Sequence, residues 1–170
     1  MQPLPGPSHL PMTALRPFSA AEFEAWLPQA IEAYARDKTA AGQWTPDEAL
    51  ARSREDHARL LPQGLATVDH HLCAIVNGTG TAVGVLWFAR QRLHGLDIAY
   101  VYNLEVDPPH RRQGHAAGAL RCLEQACASF GFHGIALHVF GHNLGARQLY
   151  AQLGFEPTNI SLFKRVGAGD

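Results

Sequence analysis

The chain has 170 residues, 46% hydrophobic and 17% charged, the composition of a soluble globular protein long enough to bury one core. A formal net charge of −1 supplies no basic stripe and argues against nucleic acid as the main partner, and no apolar run approaches the ~18 residues of a membrane span. Cys73, Cys122 and Cys127 form no C-x-x-C pair, which points to reduced thiols in a cytoplasm-like compartment.

Residues 1–12 hold the proline-rich run MQPLPGPSHLP and lack periodicity, so a flexible tail is expected ahead of a domain spanning 13–170. No basic region followed by an apolar stretch opens the chain, and no secretory signal is read. TALRPFS is a short candidate strand. SAAE at 19–22 is a capping box. It starts a helix with apolar positions at Phe23, Trp26, Leu27, Ala30, Ile31 and Tyr34, which Pro28 is expected to kink or divide. TPDE at 45–48 is a second capping box with proline at the first helical position. The helix it opens runs through Ala49, Leu50, His57, Leu60 and Leu61 and stops at Pro62 and Gly64.

The period then changes. HLCAIV and AVGVLWFAR read as strands joined by the hairpin signal NGTGT. DIAYVYNLEV is a third strand, ended by Pro108 and Pro109. A helix is predicted from about Gln113 to Phe130, then a strand over IALHVF, a short helix over NLGARQLYAQLG, and a last strand over ISLFKRV. The order implies a mixed α/β sheet.

One stretch carries chemistry on its own residues. HRRQGHAAGALRCL, His110–Leu123, sits between a strand end and a helix start. A helix N-terminus offers free amides and partial positive charge, which suit a phosphate. Gly114 lets backbone approach an anion, Ala116 and Ala117 keep the first turn thin, and Arg111 and Arg112 add fixed charge. An ordinary helix start with surface arginines explains the same residues equally well.

Arg111-x-x-Gly114-x-Ala116 resembles the R/Q-x-x-G-x-G/A motif of the Gcn5-type N-acetyltransferases (GNAT). LEVDP before it resembles that family's L-x-V-x-P strand end. LHVFGHNLGARQLYAQLGF, 137–155, resembles its second signature. The front half looks like a subgroup of uncharacterised bacterial acetyltransferases. The resemblance implies a GNAT fold, a mixed central sheet whose strands splay apart, and transfer of acetyl from acetyl-coenzyme A to a primary amine by direct attack in a ternary complex. It implies that the backbone near Leu104 and Val106 pairs with pantetheine. The turn amides of Arg111, Arg112, Gln113, Gly114, His115, Ala116 and Ala117 would take the pyrophosphate. It puts Asn143 near the cofactor, although asparagine is equally a helix N-cap. Tyr150 matches the tyrosine that protonates the departing thiolate.

Family members often carry a base on the strand before the turn, where this chain has Tyr100 and Tyr102. Glu105 is the candidate by type. Simple alternation puts it on the face opposite Tyr102, and a β-bulge would reverse that. His138 and a water chain stay open as alternatives. The histidines near Asp69–His71, His138 and His142 match no zinc spacing, and no metal is expected. The acceptor is a small-molecule or peptide amine of unread identity, and a homodimer is left open. A non-catalytic acyl-coenzyme A-binding sensor or assembly module competes with the enzyme reading.

Overall fold

The computed structural model describes residues 12–164 and 166; of the tail expected over 1–12, all but Met12 lies outside the described residues. The chain divides after His138 into two compact units.

The first unit holds a five-stranded sheet in the order β1 (Ala14–Pro17), β2 (His70–Val76), β3 (Ala82–Leu93), β4 (Leu96–Val106), β5 (Ile135–Leu137). Neighbours are antiparallel except β4 and β5, which run parallel. Helix α1 (Ala20–Ala40), helix α2 (Pro46–Leu60) and helix α3 (His115–Phe130) complete it. The register separates the two sheet faces. Trp87 packs edge-on against Trp26 of α1 and near His57 of α2, at 5.7 and 5.9 Å between ring centroids. The next residue, Phe88, meets Phe130 of α3 at 5.8 Å. So α1 and α2 cover one face and α3 the other, with Ile75, Val83, Leu86, Ala99, Ala119 and Leu123 fully buried.

Local chemistry sets the elements. Ser19 and Glu22 form the expected capping box, and Arg16 grips Glu22 through two bonds of 2.9 and 2.7 Å. These bonds hold the Glu22 carboxyl down at about 2, the bond from Arg16 first and the Ser19 amide next. The β2–β3 turn is tied by the Asn77 side chain, which accepts from the amides of Thr79 and Thr81, each at 3.0 Å. Thr13 anchors the start of β1 on α3. Its hydroxyl lies 3.0 Å from His115 Nδ1, and its carbonyl accepts from Cys122 Sγ at 3.3 Å. A Cβ at Gly118 would stand 2.6 Å from Thr13 Cβ, so glycine is needed for that seat.

Three expectations need correction. Pro28 does not divide α1, which continues unbroken to Ala40. A proline removes a single hydrogen bond, and Phe23 and Trp26 are held in the aromatic cluster on its N-terminal side. The strand over IALHVF stops at Leu137. ISLFKRV forms no strand among its described residues, and Ile160, Leu162, Phe163 and Val166 stand exposed. Apolar alternation makes a strand only where another strand supplies the ladder.

Two half-buried histidines in β2 are kept neutral. The Trp87 indole donates to His70 Nδ1 at 3.0 Å, so His70 carries its proton on Nε2. His71 stacks on Phe88 at 4.9 Å and meets the edge of Phe130 at 4.8 Å. Burial lowers both pKa values below the usual imidazole range. The unfolded chain therefore binds protons more readily as pH falls through about 6.5. The stability contributed by neutral imidazoles is full above that pH and is lost as pH falls toward the lowered folded values. Melting curves between pH 7.5 and 5 are expected to show a falling Tm, with a shallower slope in His70→Gln; an unchanged slope would contradict this assignment.

Candidate active site

The centre of the site is an irregularity in β4. Phe88 pairs with Val101 and Trp87 with Asn103, so Tyr102 is an extra residue with no partner across the ladder. This is a β-bulge. Before it, Tyr100 shares a face with Ala89; after it, Asn103 faces Trp87 and Glu105 faces Val85. Ala89, Trp87 and Val85 lie on the α1–α2 face. The bulge thus gathers Tyr100, Tyr102, Asn103 and Glu105 on one side and turns Leu104 and Val106 to the other.

The bulge also marks where β4 loses its second neighbour. Pairing with β5 ends at Val101–Leu137. From Tyr102 to Val106 that edge has no strand partner among the described residues. Asp107 N donates to Val83 O at 2.9 Å, which makes Gly84–Val106 a non-hydrogen-bonded pair. The main-chain groups of Val106, and of Leu104 one repeat earlier, therefore aim at the open edge. Gly84 permits the close approach of the strands here, because a Cβ on it would fall 2.2 Å from the Glu105 carbonyl oxygen.

Beyond β4, a short 3-10 turn, Pro108–His110, leads into the glycine stretch. Arg112 and Gly114 both take left-handed backbone, at φ 61° and 85°. For Arg112 this costs about 1–2 kcal/mol, strain of the kind that collects at binding turns. Gly114 is the N-cap of α3. Among the described residues, no protein acceptor takes the amides of residues 112–117. The side chains do other work. Arg111 folds back, donating from Nε to the Val106 carbonyl at 2.8 Å, with its other end 3.8 Å from Glu105. Gln113 donates to Pro109 O at 3.2 Å, and buried His115 holds Thr13. What this turn offers an anion is therefore backbone.

The second unit is described by itself. Helix α4 spans Leu144–Gln152, and the Asn143 side chain accepts from Ala146 N at 3.1 Å. This is the N-cap use of Asn143. Arg147 donates to Gly141 O at 3.1 Å. Tyr150 lies 5.5 Å from Phe155 between ring centroids, and burial raises its phenol above the usual value.

The chain as a whole is similar to known proteins. The model of the acetyltransferase (GNAT) family matches residues 27–155. The chain belongs to the GNAT acetyltransferase family. It is 37% identical over 152 residues to the uncharacterised N-acetyltransferase YycN of Bacillus subtilis, covering 89% of this chain and 97% of YycN. The uncharacterised N-acetyltransferase YdgE of the same organism is 32% identical over 145 residues, covering 85% and 92%. The crystal structure of YycN superposes with a TM-score of 0.85 at 36% identity, over 91% of this chain and 98% of that one. An N-acetyltransferase is thus what the family and these relatives support.

The sequence places His57 among the periodic positions of α2 and gives it no role in the site. It stands with Ala49 and Ser53 on the buried stripe of α2, and this fourfold spacing was the available signal. Among the described residues, no three His, Cys, Asp or Glu side chains gather within reach of one metal ion. No described helix is long and apolar enough to cross a membrane.

Gly84→Ala is expected to lower unfolding free energy by about 1–3 kcal/mol, because the new methyl must push β3 and β4 apart. Urea denaturation followed by circular dichroism measures this, and a loss below about 0.5 kcal/mol, within the ordinary range for surface substitutions, would show that the strands yield freely.

Proposed function

We propose that this protein transfers an acetyl group from acetyl-coenzyme A to a primary amine by direct attack in a ternary complex. One observation carries the reading: the unpartnered amides of residues 112–117 begin where the open edge of β4 ends. That combination fits a ligand with a pyrophosphate at one end and an amide-bearing arm behind it. Acetyl-coenzyme A supplies the reactive acetyl thioester.

In this reading the amides of Arg112 to Ala117, with the glycine cap at Gly114, bind the pyrophosphate, and the Arg112 side chain adds positive charge; the Arg111 amide is taken by the Pro108 carbonyl at 3.3 Å, so Arg111 acts through its side chain. The main chain of Leu104 and Val106 pairs with the pantetheine arm along the open edge. The Val106 amide stabilises negative charge developing on the acetyl oxygen. Arg111 supports this amide by fixing the carbonyl of the same residue. Glu105, on the Tyr100 face of the bulge, takes the amine proton through water. An alkylamine has a pKa near 10.4 and reacts only once that proton has left. Tyr150 returns a proton to the departing thiolate; burial keeps its phenol protonated at neutral pH. Asn143, whose side-chain oxygen caps α4, contributes to the cofactor site through the helix start that it holds.

Calorimetric titration of acetyl-coenzyme A into the parent and into a folded Gly114→Asp variant tests the turn. Binding by the parent and loss in the variant are expected, since a carboxylate there repels the pyrophosphate and a side chain strains φ 85°. No binding by the folded parent would overturn the proposal. Tyr150→Phe is expected to cut turnover by about 10²-fold or more while acetyl-coenzyme A affinity holds. Unchanged turnover would remove the acid role, and binding without turnover of any amine by the parent would favour a non-catalytic acyl-coenzyme A-binding module.

A further inference from the structure

The strained turn ahead of α3 needs a hold from outside itself. Arg112 and Gly114 take left-handed backbone, at φ 61° and 85°, and a non-glycine residue stays there only where its surroundings over-determine it. On the β4 side the hold is local: Arg111 reaches the Val106 carbonyl and Gln113 that of Pro109. On the other side it comes from Thr13, the residue before β1. His115, the first residue of α3, is 3% exposed, and its Nδ1 lies 3.0 Å from the Thr13 hydroxyl. One turn later Gly118 leaves room for Thr13, since an added Cβ would stand 2.6 Å from Thr13 Cβ and 2.7 Å from its Oγ1. The turn after that supplies Cys122 Sγ to the Thr13 carbonyl at 3.3 Å. Residues 115, 118 and 122 lie on one stripe of the helix, so Thr13 meets three successive turns.

The residue types say what the first of these contacts does. Packing alone, at a position buried to this degree, is met by an aliphatic side chain with no polar atom to match. An imidazole there needs a partner, and a hydrogen bond fixes the direction of the ring, which dispersion contacts do not. His115 also carries one of the amides left free among the described residues, and those of Ala116 and Ala117 follow it. The next amide, Gly118 N, closes the first helical bond, to Gly114 O at 2.9 Å. Helix ends fray, and the contacts at Gly118 and Cys122 hold the body of α3 rather than its first residue. The Thr13 hydroxyl is what ties down His115.

We propose that Thr13 is a positioning residue for the anion turn. Through His115 its hydroxyl holds the amides of residues 115–117 in the arrangement that receives a pyrophosphate, so affinity for acetyl-coenzyme A depends on a side chain about a hundred residues away along the chain. This rests on the cofactor reading given above and adds a residue to it. Coupling of this kind is reciprocal: if Thr13 favours the binding arrangement, bound ligand favours the Thr13 seat.

The test compares the full chain with Thr13→Val, which keeps the shape and removes the hydroxyl, and Thr13→Ser, which keeps the hydroxyl and removes the methyl. Each is checked for native circular dichroism. Calorimetry should show acetyl-coenzyme A affinity falling about tenfold or more in Thr13→Val, the weight of one buried polar group left unmatched. Thr13→Ser should bind nearly as well as the parent. A purely structural role would lower the Tm of both variants and leave both affinities at the parent value, which would overturn the proposal. Equal loss of affinity in both would overturn it too, because the hydroxyl would then not be the group that matters. Should Thr13→Val fail to fold, His115→Phe keeps a flat buried ring without the hydrogen bond and should show the same loss; full affinity there would count against the proposal. Amide exchange followed by NMR supplies a readout without ligand. Gly118 N should exchange several-fold faster in the hydroxyl-free variant while amides paired between β2 and β3 keep their rates, and an unchanged Gly118 rate would overturn the clamp. Saturating coenzyme A should in turn slow exchange at the β1 amides of the parent, and binding without that slowing would contradict the coupling. Failure of the cofactor reading looks different, as absence of acetyl-coenzyme A binding by the folded parent, and the Gly118 rates then decide the clamp alone.

Discussion

The extra residue at Tyr102 is the constraint on which the rest of the site depends. An antiparallel ladder fixes which side chains share a face and which backbone groups are used. One added residue resets both at once. Upstream, β4 is an interior strand with neighbours on both sides. Downstream it keeps β3 and loses β5, leaving Leu104 and Val106 with main-chain groups aimed outward. Without the bulge, Glu105 would sit on the α3 face and Leu104 would point at the aromatic layer. The close approach at Gly84 belongs to the same arrangement, because it keeps the downstream half of β4 in register although support remains on one side only.

The glycine stretch divides its labour between side chain and backbone. Arg111 and Gln113 turn back onto the protein, and His115 is buried under β1. They shape the loop while its amides stay free. In the proposed reading an anion would be recognised by the geometry of a chain segment, with Arg112 left to add charge from the solvent side. Both arginines stay exposed, yet the Arg111 side chain is committed to the Val106 carbonyl.

What could be read from the residues followed the range of the interactions involved. The capping box at Ser19, the turn at Asn77 and the Asn143 start of α4 each depend on residues within a few positions, and all were legible. The bulge could be named as an alternative but not located, because it is a property of two paired strands; alternation alone puts Glu105 on the other face. ISLFKRV misled for a related reason: its alternating apolar residues describe a strand that would need a neighbour. Pro28 misled in the opposite direction, since tertiary contacts of Phe23 and Trp26 keep α1 whole around it. The buried Trp26 Nε1, without a partner among the described residues, lies beyond sequence reasoning altogether, because an unmet hydrogen bond is visible only once every neighbour is placed.

The seat of Thr13 on α3 has a consequence for how the molecule is made. The His115 contact joins residues 102 positions apart, and the Cys122 contact joins residues 109 apart. Closing loops of that length is slow compared with forming a helix or hairpin. On a ribosome, where chains emerge from the N-terminus, the first strand must wait for most of the first unit before it can dock. The helix start that presents the free amides is therefore among the last parts to become rigid. A partly synthesised or partly unfolded chain could hold much of its sheet and still lack a finished anion turn, which ties competence for ligand to completion of the fold.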